Sequence, residues 1–142
     1  MRLVFLAGLA GLLGAVPVSA QPPAAPAGAP LTVCGTQVSP PANLPPANSG
    51  PVLWQIAPCF EAQGNVSLID VNTYLYYMQV AGLVSKPTEN LWRPYNDATE
   101  KIILDDFKRL WATNFLDNLW IDVRDYTFSN GVVGKVVIYN ME

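Results

Sequence analysis

Polar and apolar positions alternate with two different periods along the second half of the chain, and the switch between them maps the elements. Ile103, Phe107, Leu110 and Trp111 fall at spacings of four, three and one, so they share one face of an amphipathic helix. From 119 the period drops to two: Leu119, Ile121 and Val123 point one way, Trp120, Asp122 and Arg124 the other, which predicts a strand. Ser129-Asn130-Gly131 supplies the positive φ of a hairpin turn, and 132–139 reads as the returning strand. Upstream, 52–60 reads as a first strand, with Pro58 confining it to an edge or a strand end, and Gln63-Gly64-Asn65 turns the chain. Ser67 is the expected N-cap of a first helix, with Asp70 in its first turn and Leu68, Val71, Leu75 and Met78 facing inward until a stop near Gly82. Tyr74, Tyr76 and Tyr77 then wrap the rim of that helix. After a proline-bounded loop at 86–94, Asn96 or Asp97 caps the second helix, whose first turn holds Glu100. The order is β-α-α-β-β, an α+β domain over 52–142 with two helices on one face of a three-stranded sheet.

The first third follows other rules. Met1-Arg2, the apolar run 3–16 and the small residues Val18-Ser19-Ala20 form the pattern of a cleaved export signal over 1–20. The run is too short for a membrane-spanning helix, which takes about 20 residues. Between 21 and 60 there is no charged residue, and most of the thirteen prolines lie there, so 21–51 is expected as an extended, disordered tether. Cys34 and Cys59 both survive removal of the signal, and an oxidising compartment implies a disulfide, formed with each other or across chains. A bridge between them closes a loop worth about 3 kcal/mol. Leu31-Thr32-Val33-Cys34 has the outline of a lipidation box, but Val33 is too bulky for that pattern and no apolar run precedes it. The formal charge is −3, and −4 once Arg2 leaves with the signal, with no basic cluster for nucleic acid or anionic headgroups.

The inventory of reactive side chains is short. There is no His to serve a cysteine nucleophile, and two Cys cannot complete a zinc site. Asp105 and Asp106 are neighbours on a helix, about 100° apart, so they cannot share a proton or a metal. They read as a solvated face beside Lys108 and Arg109. No calcium loop, phosphate-cradling glycine loop or Gly-x-Ser-x-Gly turn occurs, and Asn65-Val66-Ser67 is a sequon with little meaning by itself. The expectation is a binding protein, not an enzyme, with no catalytic residue, cofactor or metal.

The run DDFKRLWATNFLDNLWIDV, a Gly-centred turn and VVGKVVIYNME resemble the second half of a POTRA domain, the periplasmic module of outer-membrane β-barrel assembly factors (the BamA family). The matching elements are the acidic, Leu-rich helix at 105–110, the turn at 112–115, the strand at 119–123 and the closing strand at 136–142. Gly64-Asn65 resembles the turn after the first POTRA strand, so the likeness covers 54–142; the Pro-rich preface and the cysteine pair lie outside it. The resemblance implies an exported module at the periplasmic face of the bacterial outer membrane. It also implies that the chain is an N-terminal fragment, with 140–142 as a truncation point before further POTRA domains and a membrane barrel. Its expected partners are unfolded outer-membrane protein segments and accessory assembly subunits. In that family the second strand lies at the sheet edge and extended clients add to it. That assigns the peptide-binding edge to Leu119, Trp120, Ile121, Asp122, Val123 and Arg124, with Trp120 the strongest anchor. The alternative is a stand-alone periplasmic scaffold, or a POTRA module of a two-partner secretion transporter.

Overall fold

In the computed structural model, which describes residues 26–142, a small antiparallel hairpin of β1 (Thr32–Val33) and β2 (Thr36–Gln37) precedes β3 (Val52–Cys59). Then come α1 (Val71–Tyr77), α2 (Asp97–Trp111), β4 (Leu119–Thr127) and β5 (Val133–Met141). The export signal and the start of the tether lie outside the described residues. The three long strands form one sheet in the order β3-β5-β4, with β3 parallel and β4 antiparallel to the central β5. This is the α+β, β-α-α-β-β arrangement that the alternation predicts. Pro58 sits in β3, an edge strand, where a missing N–H does least harm.

The first helix departs from expectation at both ends. Asp70, not Ser67, is its N-cap: the Asp70 carboxylate accepts the Asn72 N–H at 2.8 Å. Leu68, expected inside, is 90% exposed, and the buried positions are Tyr74 and Met78. The helix stops after Tyr77 because Met78 is extended, and a 3₁₀ turn over Gln79–Leu83 replaces the expected run to Gly82.

That break exists because α2 holds it open. The Asp106 side chain is fully buried, not solvated as expected, and accepts the backbone N–H groups of Gln79 and Val80, both at 2.9 Å. Arg109 forms an ion pair with Asp106 and donates from Nε to the Tyr77 carbonyl at 3.1 Å. One residue earlier, Asp105 points outward and pairs with Lys101 at 2.9 Å, whose hydrogen bond holds the Asp105 carboxyl below its ordinary range. The rotation of about 100° between neighbours puts one carboxylate in water and the other in the core. Buried carboxylates persist only with full hydrogen bonding. Beside them the Tyr139 hydroxyl is buried without a partner; burial first, and the Asp106 charge second, push its ionisation above the usual phenol range.

The sheet separates two cores. Toward the helices lie Leu53, Phe60, Tyr74, Met78, Val80, Ile103, Leu110, Leu119, Val137, Tyr139 and Met141. On the opposite face Val52, Trp54, Tyr126, Phe128, Val132, Val136 and Ile138 form a second cluster, closed over by Val33 and, at its margin, Leu31, Cys34 and Val38. The Pro-rich stretch over 26–51 is therefore not a free tether. Cys34 is bonded to Cys59 of β3, the Asn130 amide donates to the Pro45 carbonyl at 2.7 Å, and the Asn43 amide to the Pro87 carbonyl at 2.8 Å. An uncharged segment rich in proline suits this task, since it covers an apolar face with few backbone donors left to satisfy. Close packing here also explains Gly134: a Cβ at that position would stand 2.8 Å from the Phe128 ring and 3.2 Å from Trp54 Cβ.

Two stability outcomes follow from this packing. Replacing Asp106 with Ala strands the buried Val80 N–H and the half-buried Gln79 N–H, and chemical denaturation is expected to register a loss of about 3 kcal/mol, with Asp105→Ala nearly neutral. The Cys34→Ser, Cys59→Ser double variant is expected to lose about 3 kcal/mol in the same measurement.

A candidate polypeptide-docking edge

Strand β4 has a neighbour on one side only, and the phase of its hydrogen bonding decides which residues face outward. Asn118 and Glu142 exchange both backbone bonds, at 3.2 and 3.0 Å, and Phe128 N–H donates to Val132 C=O at 2.9 Å. In an antiparallel ladder such bonded pairs recur at every second residue. Trp120, Asp122, Arg124 and Tyr126 therefore direct their N–H and C=O groups toward β5. Leu119, Ile121, Val123, Asp125 and Thr127 direct theirs away from the sheet. Asn118 Oδ1 accepts the Leu119 N–H at 3.0 Å, and Gly28 N–H donates to Thr127 C=O at 2.8 Å. Among the described residues, no backbone bond from another segment reaches Ile121, Val123 or Asp125.

Side chains follow the opposite bookkeeping. Leu119 is buried in the helix-side core and Ile121 packs against it, while Val123, further along the same face, is 42% exposed. On the other face Trp120 is 42% exposed, and Asp122 accepts from the Asn140 amide at 3.0 Å. Arg124 reaches the Thr32 carbonyl of the small hairpin at 3.4 Å. Asp125 is paired with Lys135 at 2.6 Å, so the exposed end of the edge carries little free charge. The six residues singled out from sequence thus lie together on one edge strand but divide by role. The outward backbone groups belong to Ile121 and Val123, and the exposed aromatic surface to Trp120.

Asp125 is not legible in the sequence as an edge residue, because the alternation of apolar residues fades after Val123 although strand pairing continues to Thr127. The opposite edge is less accessible. Leu53 of β3 donates to the Arg93 carbonyl and accepts from the Ser85 N–H, both at 2.9 Å, so the segment 85–95 lies across its first half.

Among the described residues, no three His, Cys, Asp or Glu side chains gather as a metal site, and no helix is long and apolar enough to cross a membrane. No family model, curated protein or solved structure matches the chain.

The bonding phase has a direct readout in amide hydrogen exchange. The Ile121, Val123 and Asp125 amides are expected to exchange on the order of a hundredfold faster than those of Asp122 and Arg124, as measured residue by residue by NMR. The inverse pattern, with Asp122 and Arg124 exchanging faster, would place the strand in the other bonding phase, and equal protection across 121–125 would mean that the edge is covered.

Proposed function

We propose that this chain is a polypeptide-binding module of the POTRA kind, exported to the periplasmic face of the outer membrane and belonging to a β-barrel assembly factor. Its task in this reading is to hold extended segments of nascent outer-membrane proteins, or of accessory subunits, as an added strand along β4. The observation that carries the proposal is the row of outward backbone groups at Ile121, Val123 and Asp125, beside an exposed Trp120. Main-chain pairing takes any sequence that can lie extended, which suits a site that must accept many clients, and a neighbouring aromatic adds contact area. The β-α-α-β-β order and the edge placement of the second long strand agree with the resemblance at 105–142.

The strand phase supplies a clean test. A proline at Val123 removes an outward N–H while leaving the ladder to β5 untouched, because the Val123 N–H takes no part in it. Isothermal titration with peptides of unfolded outer-membrane strands is expected to give micromolar binding to the unaltered chain. Val123→Pro and Trp120→Ala are each expected to weaken it about tenfold, with the circular dichroism spectrum unchanged. Absence of binding to the unaltered chain at high micromolar peptide defeats the proposal.

A further inference from the structure

We infer that the chain's own N-terminal segment is a built-in stop on this edge, limiting the length of the strand that β4 can accept; the inference rests on the docking reading above. The key contact is the 2.8 Å hydrogen bond from Gly28 N–H to Thr127 C=O. Thr127 belongs to the same outward-facing set as Ile121, Val123 and Asp125, so Gly28 sits where the next bond of an added strand would form. Among the described residues, the segment does not continue along the edge. A turn closed by Ala29 N–H on the Pro26 carbonyl, at 3.0 Å, carries it away, and Gly28 holds φ +72° within that turn. Pro26 and Pro30 flank the contact, and neither has an N–H to extend pairing. The segment therefore closes one end of the edge without itself templating a sheet, a recognised way of blunting an exposed strand.

Its position is held from behind. Gly28, Ala29 and Pro30 border the same groove as Tyr126 and Phe128, and a few residues on the chain is tied down by the Cys34–Cys59 bridge. Arg124, on the strand itself, reaches the Thr32 carbonyl at 3.4 Å. Among the described residues, what is left open to a partner is the stretch from Leu119 to Asp125. A client longer than that must turn off the sheet at its far end.

The test is a length series. Peptides of alternating Val and Thr, carrying a Lys pair at one end for solubility and lengthened one Val-Thr unit at a time, are titrated against three oxidised or cysteine-free proteins. These are the unaltered chain, Gly28→Pro and the Cys34→Ser, Cys59→Ser double variant. Proline at 28 lacks the donor and cannot adopt the positive φ, so it lifts the stop locally; the double variant unties the segment without touching the contact. Affinity for the unaltered chain is expected to stop rising once a peptide spans Leu119 to Asp125, while both variants gain about tenfold from the next unit. Identical length dependence in all three proteins overturns the stop and leaves docking standing. If no peptide of any length binds any of them, docking itself falls and the stop with it. A freely exchanging Gly28 amide in the unaltered chain overturns the stop whatever the peptides do.

Discussion

Strand β5 runs through the middle of the sheet with apolar side chains in both phases: Val137, Tyr139 and Met141 toward the helices, Val136 and Ile138 toward the opposite face. A strand of that kind cannot leave either face in water, and the rest of the architecture answers that constraint. Two helices cover one side. The other is covered by a short hairpin and a proline-rich loop, with Trp54, Tyr126 and Phe128 packed ring against ring beneath them at centroid distances of 4.6 to 5.4 Å. With both faces closed, what remains open among the described residues is lateral, the far edge of β4.

The helical layer is fitted to the sheet by a polar device within an apolar core. Asp106 and Arg109 together serve a break in the chain, the carboxylate receiving the N–H groups that begin the turn at Gln79 and the guanidinium meeting the carbonyl that ends α1. A continuous helix from 71 to 82 would need neither. The break lets Tyr74, Met78 and Val80 all reach the same core while the chain changes direction. Because its hydrogen bonds need specific partners, such a network selects one packing of the helices more sharply than apolar contacts alone.

The same division between side chains and backbone organises the candidate site. Side chains of Leu119 and Ile121 belong to the core and hold the strand in place, while the backbone of Ile121, Val123 and Asp125 faces outward. Stability, and recognition in the proposed reading, thus use different atoms of the same residues. An edge strand of this length is also a hazard for self-association, and the turn at 26–29 with its flanking prolines meets that hazard at one end.

Local periodicity determined much of this. The two-residue alternation over 119–123, the Asn130-Gly131 turn, a cap at Asn96 or Asp97 and the apolar positions Ile103 and Leu110 of α2 are properties of short stretches, so the β-α-α-β-β order is legible in the sequence, although Trp111, which the spacing puts on the same face, is 48% exposed. The apolar run Val136-Val137-Ile138-Tyr139 carries the sign of a strand buried on both faces, beyond its place as the second arm of a hairpin. Other features depend on partners distant in sequence. Asp106 and Asp105 are chemically identical, and only the docking of the 79–83 turn separates a buried ligand of backbone amides from a solvated ion pair. Leu68 falls outside the helix because the N-cap is Asp70, and Tyr74, packed against the sheet, takes a buried place in the core. The segment 26–51 reads as a tether by composition, since proline and the absence of charge describe a free linker and a donor-poor cover equally well. The disulfide to β3 and the uncovered aromatic face beneath it made the choice, and both exist only once residues far apart in the chain have come together.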